Sequence, residues 1–306
     1  MTVIVRDFRP ADAEDWVRIR RAALPYMVTT PEHVVHDLSR AHPDKRYRLL
    51  VAEEDGQLIG TAQVGLAYDS PEPGQGFCNP YTHPEHTGRG AGALLLGTAE
   101  EHLAREGATT VHAWVLDAPA NRAFAERRGY APSRSAHFLH LGLAGGNLPP
   151  RQEPPAGVEL RTAADFADDP RPLFALDAET VADEPGDIQA ELTDYEDWLD
   201  HTWNVPLLDR ELTTVAVVDG EPAAFSLAET DGLTRYMSGM TGTRRAYRGR
   251  GLAKLAKNDS LHRARAAGYT DAYTGNDTAN GPMLAVNRWL GYEVCATEVR
   301  YVRGLG

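Results

Sequence analysis

The amino-acid sequence predicts an α+β (mixed α/β) fold built twice, and three observations carry that prediction. The chain has 306 residues, about twice the ~150-residue size of a common domain. One ordered set of signals occurs twice along it, at a near-constant spacing of roughly 160 residues. Each copy mixes tight hairpins with amphipathic helices, which argues for layers of sheet and helix rather than a purely parallel sheet.

Each copy opens on an apolar strand running through Arg into an Ala-Asp turn. The segments are Val3-Ile4-Val5-Arg6 leading to Pro10-Ala11-Asp12, and Val158-Glu159-Leu160-Arg161 leading to Ala163-Ala164-Asp165. A hairpin follows in both: Leu49–Ala52 to Ile59–Ala62 around Asp55-Gly56, and Thr214–Val217 to Ala223–Ser226 around Asp219-Gly220. Asp-Gly between apolar runs supplies the positive φ values of a primed turn. A glycine loop then opens a helix, expected over 93–106 and 252–267, and Gly129-Tyr130 or Gly291-Tyr292 closes the unit. Leu148-Pro149-Pro150-Arg151-Gln152-Glu153-Pro154-Pro155 can continue neither helix nor central strand, because proline lacks the backbone donor. The expected domains are therefore 1–145 and 158–306, with a proline-rich linker at 146–157.

Composition narrows the function classes. With 31 basic and 44 acidic residues the formal charge is −13, which argues against a nucleic-acid backbone or an anionic membrane as partner. A cationic substrate is compatible with that charge, although surplus surface carboxylates also serve solubility alone. No apolar run approaches the ~20 residues of a membrane span, and the N-terminus lacks a signal-peptide plan, so a cytoplasmic protein is expected. Cys78 and Cys295 are too far apart to suggest a thiolate metal site, and no metal is expected.

The chemistry points to the loop Arg248-Gly249-Arg250-Gly251-Leu252-Ala253. Glycines let successive backbone N–H groups turn toward one centre, and the helix that begins there brings its positive end and unpaired amides. A pyrophosphate suits such a loop, while a purely structural helix start remains open. A Walker loop would need Gly-Lys-Ser/Thr, which Gly251-Leu252-Ala253 lacks. A dinucleotide fingerprint belongs in the first strand-turn-helix of a parallel unit, whereas these loops follow hairpin-joined strands.

These residues resemble the GNAT acyltransferase superfamily, whose pyrophosphate loop reads Arg/Gln-x-x-Gly-x-Gly/Ala. Arg248 to Ala253 fits in full, and Thr241-Gly242-Thr243, Asn276, Asn280, Asn287 and Gly291-Tyr292 look like the C-terminal half of tandem members. The first copy, Thr87-Gly88-Arg89-Gly90-Ala91-Gly92, is similar but has Thr87 where the family has Arg or Gln. The resemblance implies two GNAT-like units, each a mixed, mostly antiparallel twisted sheet flanked by helices. The first is expected to be degenerate, with Gly88, Arg89, Gly90, Ala91 and Gly92 as a possible second cofactor site. The second is expected to be catalytic.

It further implies an N-acetyltransferase that moves an acetyl or other short acyl group from acetyl-CoA or a similar acyl-CoA to the primary amine of a small, cationic molecule, in a monomer or homodimer. The pantetheine arm would lie between strands ending at Met240–Thr243 and Ala272–Thr274, held by backbone amides around Thr241, Gly242 and Thr243. Arg248, Gly249, Arg250, Gly251, Leu252 and Ala253 would take the phosphates, and Asn280 the pantetheine amides, unless Asn280 only caps a helix. Many members place a tyrosine seven residues beyond that asparagine to protonate the thiolate; here Asn287 stands there, and Ala125 in the first copy. Tyr273 is the substitute acid considered, although an aromatic in a strand also reads as core.

A protonated amine must lose its proton before attack, so a carboxylate base is expected. Glu229, at a strand end, is the first candidate, and a solvated strand-end charge is an equal reading; His83 and Glu85 are weaker. The acidic run Asp183-Glu184-Pro185-Gly186-Asp187, with Trp198 or Trp203 as a cation-facing surface, is the expected acceptor site, or else a solvated helix start. Two further classes stay open: a non-catalytic acyl-CoA-binding or sensor protein, suggested by the missing tyrosine, and an acetyltransferase acting on protein lysines or N-termini.

Overall fold

The computed structural model describes residues 2–145 and 148–305. Gly146 and Asn147, which open the expected linker, and the terminal Met1 and Gly306 lie outside the described residues. The first repeat runs β1 (Val3–Asp7), α1 (Ala13–Ala23), α2 (Pro31–Arg40), β2 (Arg48–Glu54), β3 (Gln57–Leu66), β4 (Gln75–Thr82), α3 (Ala91–Arg105), β5 (Thr110–Leu116), α4 (Pro119–Glu126) and β6 (Ala131–Gly142). The second runs in the same order: β7 (Val158–Thr162), α5 (Arg171–Val181), α6 (Tyr195–Trp198), β8 (Thr214–Val218), β9 (Glu221–Thr230), β10 (Arg235–Thr243), α7 (Leu252–Ala266), β11 (Asp271–Asp277), α8 (Gly281–Leu290) and β12 (Glu293–Gly304). The two hairpin turns form as their residues demand, with φ of 50° and 83° at Asp55 and Gly56 and of 51° and 85° at Asp219 and Gly220.

Packing divides the chain on different lines from the sequence repeat. One compact unit comprises Met1–Ala136, Asp187–Ala190 and Ala296–Gly306; the other comprises His137–Gly186 and Glu191–Cys295. The boundaries 1–145, 146–157 and 158–306 describe the repeat, then, rather than the packed bodies. In the first unit the strand order is β1-β2-β3-β4-β5-β12, and β12 pairs antiparallel with β5 from Glu298 opposite Leu116 to Gly304 opposite Thr110. In the second it is β6-β11-β10-β9-β8-β7. Each sheet is closed by a strand from the other repeat. Alternation of apolar residues specifies that β6 and β12 are strands but not which copy of the neighbour each one joins.

Period-two alternation gives each sheet two buried faces. In the first unit Leu50, Ala52, Ala62 and Val64 pack with Leu95, Ala99 and Leu103 of α3, whereas Leu49, Val51 and Leu58 pack with Trp16, Ile19 and Val34 of α1 and α2. In the second, Ala216, Val218 and Ala224 meet Leu252 and Leu255 of α7, while Val215, Val217 and Phe225 meet Leu173, Leu176, Trp198 and Trp203. Both glycine loops therefore lie at the mouth of a helix whose inner face is anchored on strands.

Candidate active site

Two strands part company in the second unit. β10 and β11 pair in parallel only from Arg235 opposite Asp271 to Ser238 opposite Thr274, although β10 continues to Thr243 and β11 to Asp277. Just past the last pair, the β9–β10 register shifts between Ser238 and Thr241, a bulge that turns the Gly239-Met240 backbone out of the ladder. Thr274 ties the apex, donating from Oγ1 to the Ser238 carbonyl at 3.2 Å. Thr241, Gly242 and Thr243 thus lie on the free length of β10, as expected. Gly242 leaves room for α5, since a Cβ there would fall 2.4 Å from the Thr180 side chain.

The loop after β10 carries positive φ at Gly249 (77°) and Gly251 (75°), and Gly251 is the residue from which α7 starts. A Cβ at either glycine would meet nothing within 4 Å, so the backbone lies open as an anion cradle requires. Leu252 and Ala253 form the first turn of α7, and Arg250 lies 5.7 Å from the Tyr247 ring. Arg248 donates to the Thr243 carbonyl at 3.2 Å and also to Asp183. Arg245 grips Asp183 with two hydrogen bonds of 2.8 and 2.7 Å, and its backbone N–H donates to Glu179 at 2.6 Å. Those two guanidiniums hold the Asp183 carboxyl down at about 2.

The expected acceptor site changes accordingly. Asp183 is paired with Arg245 and Arg248, at the glycine loop. Glu184 is exposed on the same turn, Asp187 belongs to the first unit, and Asp194 caps α6 by accepting from the N–H groups of Glu196 and Asp197. Trp198 offers no open face: it is 3% exposed, packs among Phe174, Tyr195 and Trp203, and donates from Nε1 to Asp177 at 2.8 Å.

A cleft of about 240 Å³ opens instead between α5, the turn Leu199–Trp203 and the bulge. Asp177, His201, Glu229 and Met240 line it, with Val181, Leu192, Thr202, Val205, Leu208 and Leu227. Glu229 projects from β9 opposite Met237, and Gly239 leaves it space, a Cβ there being 3.5 Å from Glu229 Oε1. Burial pushes the Glu229 carboxyl up, which suits a proton acceptor better than a fully solvated charge would.

The remaining candidates on α8 and β11 divide. Asn280 caps α8, accepting from the Met283 N–H at 3.3 Å. Asn287 is fully buried; its Nδ2 donates to Asn276 at 2.5 Å while its Oδ1 has no partner, so the unpaired atom at the position of the missing tyrosine is an acceptor and not a donor. Tyr273 packs against His140 at 5.0 Å and Arg235 at 5.6 Å and does not line the cleft.

Sequence reasoning missed three groups. Asp177 and His201 flank the acidic run expected to hold the acceptor, and no local pattern singles either of them out. Lys257, on the inner face of α7, is 1% exposed and donates to Thr274 Oγ1 at 3.1 Å, directly beneath the splay apex. Burial pushes its amine down to about 7. The one signal was a lysine inside the run Leu255-Ala256-Lys257-Asn258-Asp259-Ser260-Leu261, whose buried face no periodicity isolates.

The first repeat keeps the loop and alters the strand before it. Gly88 and Gly90 have φ of 80° and 90°, Ala91 and Gly92 open α3, and Arg89 pairs with Glu54 at 2.6 Å. Yet β3 and β4 pair from Gly60–Thr82 to Leu66–Gly76 without a register shift. Where β4 and β5 separate after Phe77 and His112, the Trp114 N–H donates to Asn79 Oδ1 at 2.9 Å. His83 and Glu85 form an exposed turn in which the Glu85 N–H donates to His83 Nδ1 at 3.3 Å. Cys78 and Cys295 form no disulfide, and the Cys295 thiol donates to the Phe138 carbonyl at 3.4 Å.

Comparison with known proteins agrees with this architecture. The model of the acetyltransferase (GNAT) family matches residues 13–130, within the first repeat. A mycothiol acetyltransferase of Clavibacter michiganensis subsp. michiganensis is 30% identical, over 85% of this chain and 85% of its own. Another, from Nocardiopsis dassonvillei, is 25% identical over 88% and 86%. Among solved structures, a tandem GNAT protein from the clavulanic acid biosynthesis pathway superposes with a TM-score of 0.74 at 21% identity, covering 100% of this chain and 99% of its own. A GCN5-related N-acetyltransferase from Sphaerobacter thermophilus gives 0.72 at 23%, covering 99% and 95%.

Proposed function

The chain belongs to the GNAT acetyltransferase family, whose acyl donor is acetyl-CoA, and on that premise we propose that the second of its linear repeats (1–145 and 158–306) acetylates the primary amine of a small molecule in the cytoplasm. The reading is carried by one observation: a half-buried carboxylate, Glu229, lines a cleft beside the bulge of β10, while the corresponding strand of the first repeat has no bulge. The curated relatives, named as acetyltransferases of the small thiol mycothiol, favour a small acceptor, as does a cleft of about 240 Å³.

Acetyl-CoA supplies an activated thioester; the rest of the chemistry falls to the chain. Arg248, Arg250 and the open amides of Gly249–Ala253 would hold its phosphates, and the free edge of β10 at Thr241–Thr243 would hold its arm. Amides turned out by the bulge can face the oxygen on which charge develops, and donors fixed in advance stabilise it without reorganising. The acceptor amine, with an ordinary pKa near ~10, arrives protonated at neutral pH, and Glu229 takes that proton so that a lone pair is presented. The carbon–sulfur bond breaks as the carbon–nitrogen bond forms, and the sulfur leaves as the thiol, taking the proton that the nitrogen sheds as it becomes an amide.

CoA-thiol release from acetyl-CoA, measured over a panel of small primary amines and repeated with Glu229→Gln, tests the proposal. Release that depends on amine and falls sharply in the variant supports it. The missing tyrosine favours one other reading, a non-catalytic acyl-CoA sensor, which requires tight acetyl-CoA binding with no release for any amine.

A further inference from the structure

The cleft has a second polar wall that the chemistry above leaves unused. Asp177, on α5, is 5% exposed; its Oδ2 accepts from the Trp198 indole, and its Oδ1 has no hydrogen-bond partner. His201 stands on the neighbouring turn. Its Nδ1 faces two acceptors of Asp197, the carboxylate at 2.9 Å and the carbonyl at 3.0 Å, so Nδ1 is the nitrogen that carries the hydrogen. In the neutral ring Nε2 is then a lone pair, and it too is buried without a partner.

Buried polar groups in folded proteins are nearly always paired, so two unpaired acceptors on one wall need an explanation. The lining explains them chemically: Asp177, His201 and Glu229 offer acceptors, Thr202 a hydroxyl, the other six residues are apolar, and no lysine or arginine takes part. Two carboxylates in one largely apolar cleft repel each other unless a cation lies between or beside them. A ligand rich in N–H donors relieves every one of these features at once, whereas an anionic or acceptor-rich ligand aggravates them.

We propose that Asp177 and His201 form a second recognition point in the cleft, which takes a diamine: one ammonium is held by Asp177 and His201 while the other nitrogen lies at Glu229. This assignment rests on the reading that the cleft receives the acceptor amine, and it makes Asp177 a specificity-determining residue outside the acetyl-transfer chemistry.

The test is calorimetric titration of the full chain, saturated with CoA so that nothing turns over, with straight-chain α,ω-diamines of three to six carbons and the monoamines of equal length. A charge-assisted hydrogen bond in a desolvated site leads to roughly tenfold or greater preference for at least one diamine over its monoamine. Asp177→Asn, which keeps an oxygen for Trp198, should abolish that preference. His201→Phe should reduce it. Equal binding of diamines and monoamines by the wild type, no diamine binding at all, or a preference that survives in Asp177→Asn overturns the proposal. If Asp177→Asn fails to fold by its melting curve, the wild-type comparison decides alone. The two readings separate cleanly: a diamine preference without thiol release for any amine removes the acetylation reading and keeps this one, whereas release from monoamines and diamines with equal efficiency does the reverse.

Discussion

Replacing Lys257 by methionine should stabilise the protein at neutral pH, and the size of the effect follows from burial. The lysine amine falls from its ordinary 10.5 to about 7, so charging it in place works against about 5 kcal/mol relative to water. The single hydrogen bond to Thr274 offsets part of this, about 1.5–3 kcal/mol when the donor is charged. Methionine keeps the length and packing without the charge, so Lys257→Met should gain a few kcal/mol at pH 7. The pH dependence is the sharper readout. Between about pH 7 and 10 the unfolded chain carries a proton at Lys257 that the folded chain lacks, so the wild type gains stability from this residue as pH rises, by at most about 1.4 kcal/mol per unit. The advantage of the variant is therefore full below pH 7 and shrinks toward pH 10. Urea unfolding of both proteins at pH 7, 8 and 9 measures the difference. Parallel stability profiles would refute the reasoning, since they would mean that Lys257 holds the same proton in both states.

Three further outcomes test the site. Glu229→Gln should lower kcat by roughly 10²–10⁴-fold with the KM for acetyl-CoA unchanged, and because burial raises this carboxyl, wild-type turnover should fall as pH drops through its elevated pKa; an identical pH profile in the variant removes Glu229 from the reaction. Asp183→Asn should lower the KM for acetyl-CoA a few-fold and leave that for the amine alone, because it releases Arg245 and Arg248 toward phosphate; a rise in the amine KM instead would return Asp183 to the acceptor. Gly251→Glu, which puts a side chain at φ 75° and a negative charge in the loop, should abolish acetyl-CoA binding by calorimetry, and retained binding would move the working site to the first repeat.

The repeated order of elements was legible because its signals are local: Asp-Gly at both hairpins, glycines at both loops and alternation on both faces of each sheet. The exchange of closing strands was not, since β6 and β12 answer the same alternation and pairing depends on three-dimensional packing. Among site residues, the loop 248–253 and the free length of β10 could be read because their chemistry is in the backbone. Glu229 was readable as a strand-end carboxylate, but its burial arises from the segment 205–209, which lays Leu208 against it. The ion pairs of Asp183 were not legible in the acidic run for a simple reason. A run of acids states charge and not its partner, and the partners here, Arg245 and Arg248, lie some 60 residues further along.

The glycine loop is thus a poor discriminator between the repeats, because both copies retain it with both glycines at positive φ. What separates them is the strand that precedes it. In β10 the shift between Ser238 and Thr241 places Gly239 beside Glu229 and opens the ladder where β11 departs. In β4 the pairing is unbroken, and the face away from α3 is taken up by side chains packed on one another: Arg20 donates to Gln63 at 2.8 Å and lies 4.6 Å from the Tyr81 ring, while Tyr81 donates to Glu298 at 3.1 Å. Glu298 comes from β12, a strand of the other repeat, so this filling could arise only once the two copies were joined. Under the function proposed above, the unbroken strand with side chains packed against it would serve structure, and the bulged strand beside the cleft would serve the chemistry. That proposal gives the two sheets different roles while both keep the loop, so the strand before the loop, and not the loop itself, is where a substitution should separate them.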